Sequence, residues 1–191
     1  MEKPVSARLP SAVPPYSQSI QDRLDKIMPP GMSPLVLFTT LARDARLFQR
    51  FMAGNLLDRG NLDLRCREIV IDRVTALAKS EYEWGVHIAL FAEKAKLSAD
   101  QIASTVGGGA DDPCWNEQER ALIAACDQLH STCDLDDKSW ANLTSHFSEE
   151  AILEILMLCG LYRMVAYLTN ALRLPLEAFA MRFPDRAAVA T

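Results

Sequence analysis

Three residues of this 191-residue chain, Glu68, Glu83 and His87, combine chemistry-bearing types with a telling spacing. Glu83 and His87 stand four positions apart in Lys79-Ser80-Glu81-Tyr82-Glu83-Trp84-Gly85-Val86-His87. On a helix such residues share one face, one turn above the other. A carboxylate beside an imidazole holds one tautomer, raises the imidazole pKa and forms a proton-transfer pair. Glu68 closes the segment Arg65-Cys66-Arg67-Glu68 at the head of an earlier apolar run, from which it could face that pair. The same spacing also suits a plain salt bridge or a solvated surface pair. Further along, Tyr162, Arg163 and Asn170 interrupt another apolar run. They read either as walls of the same pocket or as buried hydrogen-bonding groups and subunit contacts.

Other chemistries find less support. Cys66, Cys114, Cys126, Cys133 and Cys159 include no Cys-x-x-Cys pair, and a dithiol centre needs two thiols close enough to bridge. Cys66, Cys126 and Cys159 sit in apolar helical runs and read as small core fillers. The imidazoles are His87, His130 and His146. His130-x-x-Cys133 would need metal ligands from elsewhere, and the repeated Glu-x-x-His of di-iron bundles is missing, so neither metal nor cofactor is expected. No Gly-x-Ser-x-Gly marks a serine nucleophile. Gly107-Gly108-Gly109 lacks the Gly-Lys-Ser/Thr ending of a phosphate loop and reads as a hinge or linker.

The elements that must position these groups are helices. The run Leu64–Ala78 is capped by Asp63, and the run from Tyr82 to Leu97 follows a two-residue corner, so the two should pack as a hairpin. A short helix should run from Ser17 or Ser19 to Met28, and a longer one from Ser33-Pro34 to Met52. Ser98 with Gln101, and Asn116 with Glu119, have the capping-box pattern. Asp134–Asp137 starts a helix towards Phe147, and Ser148 caps the longest, about 148–172, closed by Leu174-Pro175. Period-two alternation is absent, so the fold class is all-α.

Composition sets the outer bounds. Hydrophobic residues make up 49% and charged ones 24%, with net charge −5, the profile of one soluble domain over 1–191 with a proline-rich arm at 1–16. That arm should be disordered or laid over a neighbouring subunit. No basic stripe exists, which argues against nucleic acid or an anionic membrane surface as partner. Nothing in 1–30 reads as a signal peptide, and no stretch reaches the roughly 18–20 uncharged apolar residues of a membrane span. An odd set of irregularly spaced cysteines suits a reducing cytoplasm. Long apolar helices, three tryptophans and the arm leave more apolar surface than a monomer covers, so a homo-oligomer is expected.

Taken together, the segment from Arg65 to Val106 resembles the carboxymuconolactone decarboxylase and alkylhydroperoxidase D-like family. The likeness lies in Arg65-Cys66-Arg67-Glu68 and its apolar helix, then Glu81-Tyr82-Glu83-Trp84-x-x-His87, then Leu97-Ser98 before another short helix. Tyr162, Arg163 and Asn170 fit more loosely, in a core spanning about 33–175. The resemblance implies an alkylhydroperoxidase D-like helical bundle, usually assembled as a homo-oligomer. The peroxidase branch carries Cys-x-x-Cys-x-x-x-His with a glutamate twelve residues before the first cysteine. On this chain the glutamate falls on Glu68 and the histidine on His87, while the cysteines fall on Ser80 and Glu83. The decarboxylase branch also lacks the cysteines. The resemblance therefore implies a cofactor-independent acid/base lyase or isomerase on a small carboxylated or lactone-like metabolite, in the catabolism of aromatic compounds. His87 would be the proton donor or base, Glu83 would orient it, and Glu68 would face it. Tyr82, Trp84, Arg65, Tyr162, Arg163 and Asn170 would contact substrate, with Arg65 or Arg163 holding a carboxylate. The alternatives are a thiol-dependent antioxidant protein and a non-catalytic helical scaffold that binds a ligand.

Overall fold

The computed structural model describes residues 7–184, and among them nine helices and no strand, the all-α bundle expected. They are α1 (Gln18–Ile27), α2 (Val36–Leu41), α3 (Ala45–Ala53), α4 (Leu64–Leu77), α5 (Glu81–Phe91), α6 (Ala99–Gly107), α7 (Glu117–Thr132), α8 (Asp137–His146) and α9 (Glu149–Ala171). Helix α4 is the axis and packs against α5, α6, α7 and α9, with Ile69, Val70 and Ile71 fully buried. Its start is set by Asp63, whose Oδ1 accepts from the Cys66 N–H at 2.7 Å. Capping boxes at Ser98/Gln101 and Asn116/Glu119 start α6 and α7. Each such cap stabilises its helix by about 1 kcal/mol.

The corner between α4 and α5 takes Lys79 into the left-handed region at φ 56°. Ser80 then caps α5, and its hydroxyl also pairs with the Thr169 hydroxyl at 2.7 Å, joining α5 to α9. The tail after α9 crosses back over α5 as a strap. The Glu177 carboxylate accepts from the Tyr82 hydroxyl and, at 2.6 Å, from the Val36 N–H. The Met181 N–H donates to the Gly85 carbonyl at 3.0 Å, and Phe183 packs on Trp84 with ring centres 5.1 Å apart. A Cβ at position 85 would collide with the Met181 carbonyl, so this close approach requires glycine.

Several expectations change. The run from Ser33 to Met52 is two helices, because Asp44 breaks it by accepting from the Leu47 N–H at 2.9 Å and capping α3. Helix α5 ends at Phe91, and the chain turns through Lys96 at φ 55°. Gly107–Gly109 is no linker: Gly107 ends α6, and the Asp112 carboxylate pins the turn through the Ser104 hydroxyl (2.6 Å) and the Gly109 N–H (3.2 Å). The described part of the arm lies on its own chain, with Arg8 N–H on the Leu172 carbonyl and Ala12 N–H on the Thr39 carbonyl. Its residues 1–6 lie outside the described part. Helix α9 is long and apolar enough, at mean hydropathy 1.7, to cross a membrane by length and composition, since Glu154 and Arg163 interrupt it too sparsely. Half of that stretch is buried here, and the helix packs against α4 and α5.

Helices α1–α3 have a small core of their own, built from Ile20, Leu24, Phe48 and Met52. They meet the main bundle through Phe38, Leu41 and Phe51. This group forms a cap over the side of α5 that carries Glu83.

Candidate active site

Helix α4 buries charged residues as well as aliphatic ones: Arg67, Glu68, Asp72 and Arg73 are all inside. Glu68 and Asp72 are four apart and so share a face of α4. Helix α5 is buried from Tyr82 to Ile88 and brings Glu83 and His87 against that face. Glu68 Oε2 accepts from His87 Nδ1 at 2.7 Å. The opposite ring nitrogen, Nε2, lies 3.5 Å from Glu83 Oε1. Arg67 donates Nε and Nη2 to Glu68 Oε1 at 3.0 and 2.9 Å, and Nη1 to the Leu57 carbonyl at 2.9 Å. The result is a buried chain of alternating charge, from Arg67 through Glu68 and His87 to Glu83.

The electrostatics follow from burial and partners. Burial alone would lower the His87 pKa, but hydrogen bonds and charge from Glu68 and Glu83 outweigh it and raise it to about 10. The ring is therefore an imidazolium at neutral pH, with Nδ1 donating to Glu68 and Nε2 facing the Glu83 carboxylate. Asp72 has no such support: burial pushes its carboxyl well above the usual range, Glu68 adds to this, and only His87 opposes it. Tyr162 stands edge-on to His87, with ring centres 5.1 Å apart at 88°. Burial, then the charges of Glu83 and Glu68, raise its phenol pKa well above normal, so it stays a neutral donor.

Glu83 and Tyr162 both line a small, partly open cavity of ≈ 30 Å³ under the cap. Its other walls include Ile27, Phe38, Phe51, Leu57 and Val165. Glu83 Oε2 is buried and has no hydrogen-bond partner among the described residues. Such an orphan costs about 1–3 kcal/mol, more when charged, and Asp72 Oδ1 is the other buried side-chain oxygen without a partner among the described residues.

The structure thus brings together Glu68, Glu83, His87 and Tyr162. The other expected contacts are committed elsewhere, a result of helical rotation and of partners distant in sequence. Tyr82 points to the strap, donating to Glu177 and accepting from the Leu37 N–H at 3.1 Å. Trp84 points to α6, where its indole N–H meets the Thr105 hydroxyl at 3.0 Å. Arg65 pairs with Glu119 at 2.6 Å and holds the Lys96 carbonyl at 2.6 Å. Arg163 lies against His130 Nδ1 at 2.7 Å, in a separate cavity of ≈ 220 Å³ between α7 and α9. Asn170 donates to the Ala78 carbonyl at 2.9 Å and secures the α4–α5 corner. Arg67, Asp72 and the cap residues were not anticipated. Asp72 could have been found from its four-residue spacing to Glu68, whereas Phe38 and Phe51 look like any core residues.

Thiols stand apart from this cluster. Burial, then the neighbouring Asp63 carboxylate, pushes the Cys66 thiol up to about 12, which leaves it a poor nucleophile. The Cys126 and Cys159 sulfurs, 33 residues apart in sequence, approach to 3.9 Å in the α7–α9 cavity, a proximity with no local signature. Among the described residues no group of three or more His, Cys, Asp or Glu side chains is arranged to hold a metal ion.

Known proteins agree with this architecture. An alkylhydroperoxidase AhpD core protein from Ralstonia eutropha JMP134 superposes with a TM-score of 0.79 at 17% identity, over 90% of this chain and 93% of that one. A peroxidase-related protein from Silicibacter sp. TM1040 gives 0.78 at 15% identity, over 95% and 100%. The debrominase Bmp8, in complex with 2,3,4-tribromopyrrole, gives 0.67 at 15% identity, over 93% and 95%. At these identities the likeness is one of fold. No curated protein matches the chain. Residues 45–127, from α3 through most of α7, match the model of the carboxymuconolactone decarboxylase family. In that segment the chain is similar to the carboxymuconolactone decarboxylase family, and the bundle built on it has the alkylhydroperoxidase D-like fold.

Proposed function

We propose that the protein is a cofactor-independent acid/base enzyme, a lyase or isomerase acting on a small lactone-like or conjugated carbonyl metabolite. The observation that carries this reading is the unpartnered Glu83 Oε2, buried at a cavity wall and backed by a histidine with pKa about 10. In this arrangement Glu83 is the group that meets substrate. It takes a proton from one atom of the substrate and can return it to another. The His87 imidazolium, held by Glu68, steadies the charge on Glu83, and Tyr162 offers a neutral hydroxyl to a developing oxyanion. A substrate carboxylate, expected at Arg65 or Arg163, finds both arginines occupied elsewhere, which moves weight from a carboxylated substrate to the lactone-like one. Bmp8 shares the fold and is seen with a small flat heterocycle, a shape that also suits the Phe38 and Phe51 walls here.

The antioxidant reading has less behind it. Ser80 and Glu83 occupy the positions of the redox cysteines, and Ser80 is tied to Thr169. The proposal includes a cytoplasmic setting, where the five free thiols would stay reduced. It also includes a homo-oligomer, because Leu153, Met157, Met164 and Tyr167 lie exposed along one face of α9. Light scattering tests that part, and a monomer at micromolar concentration would remove it.

The test of the function is a turnover screen on unsaturated lactones and enol-type carbonyl compounds, followed by Glu83→Gln and His87→Ala on any hit. General acid/base assistance is worth ~10²–10⁴-fold, so each variant should lose about that much in kcat. The double variant should be little worse than either alone, since the two act as one unit. Full activity in Glu83→Gln would reject the mechanism.

A further inference from the structure

Charge balance and wall chemistry at Glu83 go further and indicate what the site accepts. This step rests on the reading of Glu83 as the substrate-facing group. We infer that the ligand is an uncharged, flat molecule carrying one hydroxyl or N–H donor, bound with that donor on Glu83 Oε2.

The donor is required by the orphan oxygen. Oε2 of Glu83 is buried without a partner, while Oε1 faces His87 Nε2. A ligand hydroxyl or N–H would satisfy it with a charge-assisted hydrogen bond, the stronger kind.

The absence of net charge follows from what surrounds that oxygen. Arg67 spends Nε and Nη2 on Glu68 Oε1 and Nη1 on the Leu57 carbonyl. His87 divides its two nitrogens between Glu68 and Glu83. Two cations and two carboxylates are therefore already matched, and no lysine or arginine among the described residues lines the cavity. An anionic ligand would set a third negative charge beside Glu83, where Asn55 and Tyr162 are the neutral polar groups on the walls and no cation is left to pair it. A cationic ligand would leave an excess positive charge in the same cavity.

Flatness follows from the walls and the room. Phe38 and Phe51 stand with ring centres 6.4 Å apart, tilted by 59°, and Ile27, Leu57, Leu161 and Val165 add apolar wall, with Asn55 the one further polar residue beside Glu83 and Tyr162. The space of ≈ 30 Å³ holds about two waters at roughly 15 Å³ each. A ring therefore enters only if part of the cap moves outward. Helices α1 and α3 share a core of their own. Helix α2 is held in the main bundle by Leu37 and by the Val36 and Leu37 N–H groups, which donate to Glu177 and Tyr82. The opening falls to α1 and α3, which carry Ile27 and Phe51. A thin ligand requires the smallest shift.

The experiment is an NMR titration of the full chain with phenol, benzoate and benzylamine, three probes sharing a ring and differing in charge. Phenol should bind in the millimolar range or tighter, with shifts at Glu83, Tyr162, Phe38 and Phe51, and should bind at least tenfold more tightly than benzoate or benzylamine. Glu83→Gln should weaken phenol about tenfold. Benzoate or benzylamine binding as well as phenol would overturn the inference. So would phenol binding that Glu83→Gln leaves unchanged, or no phenol binding at all. The outcome is separable from the catalytic reading. Turnover of a carboxylated substrate that depends on Glu83 and His87 would keep the mechanism and sink this ligand class. Phenol binding at Glu83 with full activity in His87→Ala would do the reverse.

Discussion

Helix α4 carries ion pairs of two kinds, and they differ in what they leave unmet. Near its ends, Arg65 pairs with Glu119 and Arg73 with Asp127, each at 2.6 Å, and both bonds run to α7. Arg73 also donates to the Thr105 carbonyl at 3.0 Å, so it fastens α6 as well. These pairs are struts: each charge meets its complement, and Asp127 keeps a 35% exposed side chain. Between them, Arg67–Glu68–His87–Glu83 runs to α5 through a region where the Glu68 side chain is only 1% exposed, and it ends on an oxygen with no partner. The struts hold helices together, whereas the central chain leaves one carboxylate oxygen without a partner among the described residues. Charge pairing by itself does not distinguish the two; the orphaned end does.

The contrast can be broken most forcefully at Glu68. Glu68→Ala would strand Arg67 and His87 in the core without their carboxylate, and removing one member of a buried pair costs about 3–5 kcal/mol. Urea denaturation should show that loss, and a loss below about 1 kcal/mol would make the central chain no more than another strut. The next effect is a pH dependence. His87 has a folded pKa of about 10 against an ordinary value near 6.5. A pKa raised in the folded state contributes stability that is fully present below about 6.5 and is lost as pH rises through about 10. Thermal melts between pH 6 and 10 should fall accordingly, and the fall attributable to this group should vanish in His87→Gln.

Arg73→Met should cost less, about 1–3 kcal/mol, because it strands the Ser104 and Thr105 carbonyls while Asp127 turns to water. The smallest change is expected at the residue of greatest functional interest. Glu83→Gln should move stability by no more than about 1 kcal/mol, since Oε2 has no bond to lose. The same variant should lower the His87 pKa, which an NMR titration reads directly. A stability loss as large as that of Glu68→Ala would mean that Glu83 is structural.

Local signals were readable from residue order, and long-range destinations were not. Asp63, Ser98 with Gln101, and Asn116 with Glu119 start their helices as anticipated, because a cap depends on residues three apart. Glu83 and His87 share a face for the same kind of reason. Tyr82 and Trp84 flank Glu83 in sequence, yet about 100° of rotation per residue turns them to the strap and to α6. Arg65, Arg163 and Asn170 went elsewhere because their partners lie 31 to 92 residues away, beyond any local pattern. The cavity was illegible for a different reason. Phe38 and Phe51 carry no mark that separates a pocket wall from packed core.

The strap over α5 has a consequence for how the protein comes into being. Tyr82 and the Glu177 carboxylate it bonds are 95 residues apart, so during synthesis at about 5–20 residues per second the first waits roughly 5–20 s for the second. Until then the Gly85 carbonyl lacks the Met181 N–H, and the Glu81 carboxylate lacks both Arg182 and the Phe183 N–H. A nascent chain that stalls before Glu177 therefore carries Arg67, Glu68, Glu83, His87 and Tyr162 while α5 still lacks its strap. Synthesis of the strap and the fastening of α5 thus become a single event.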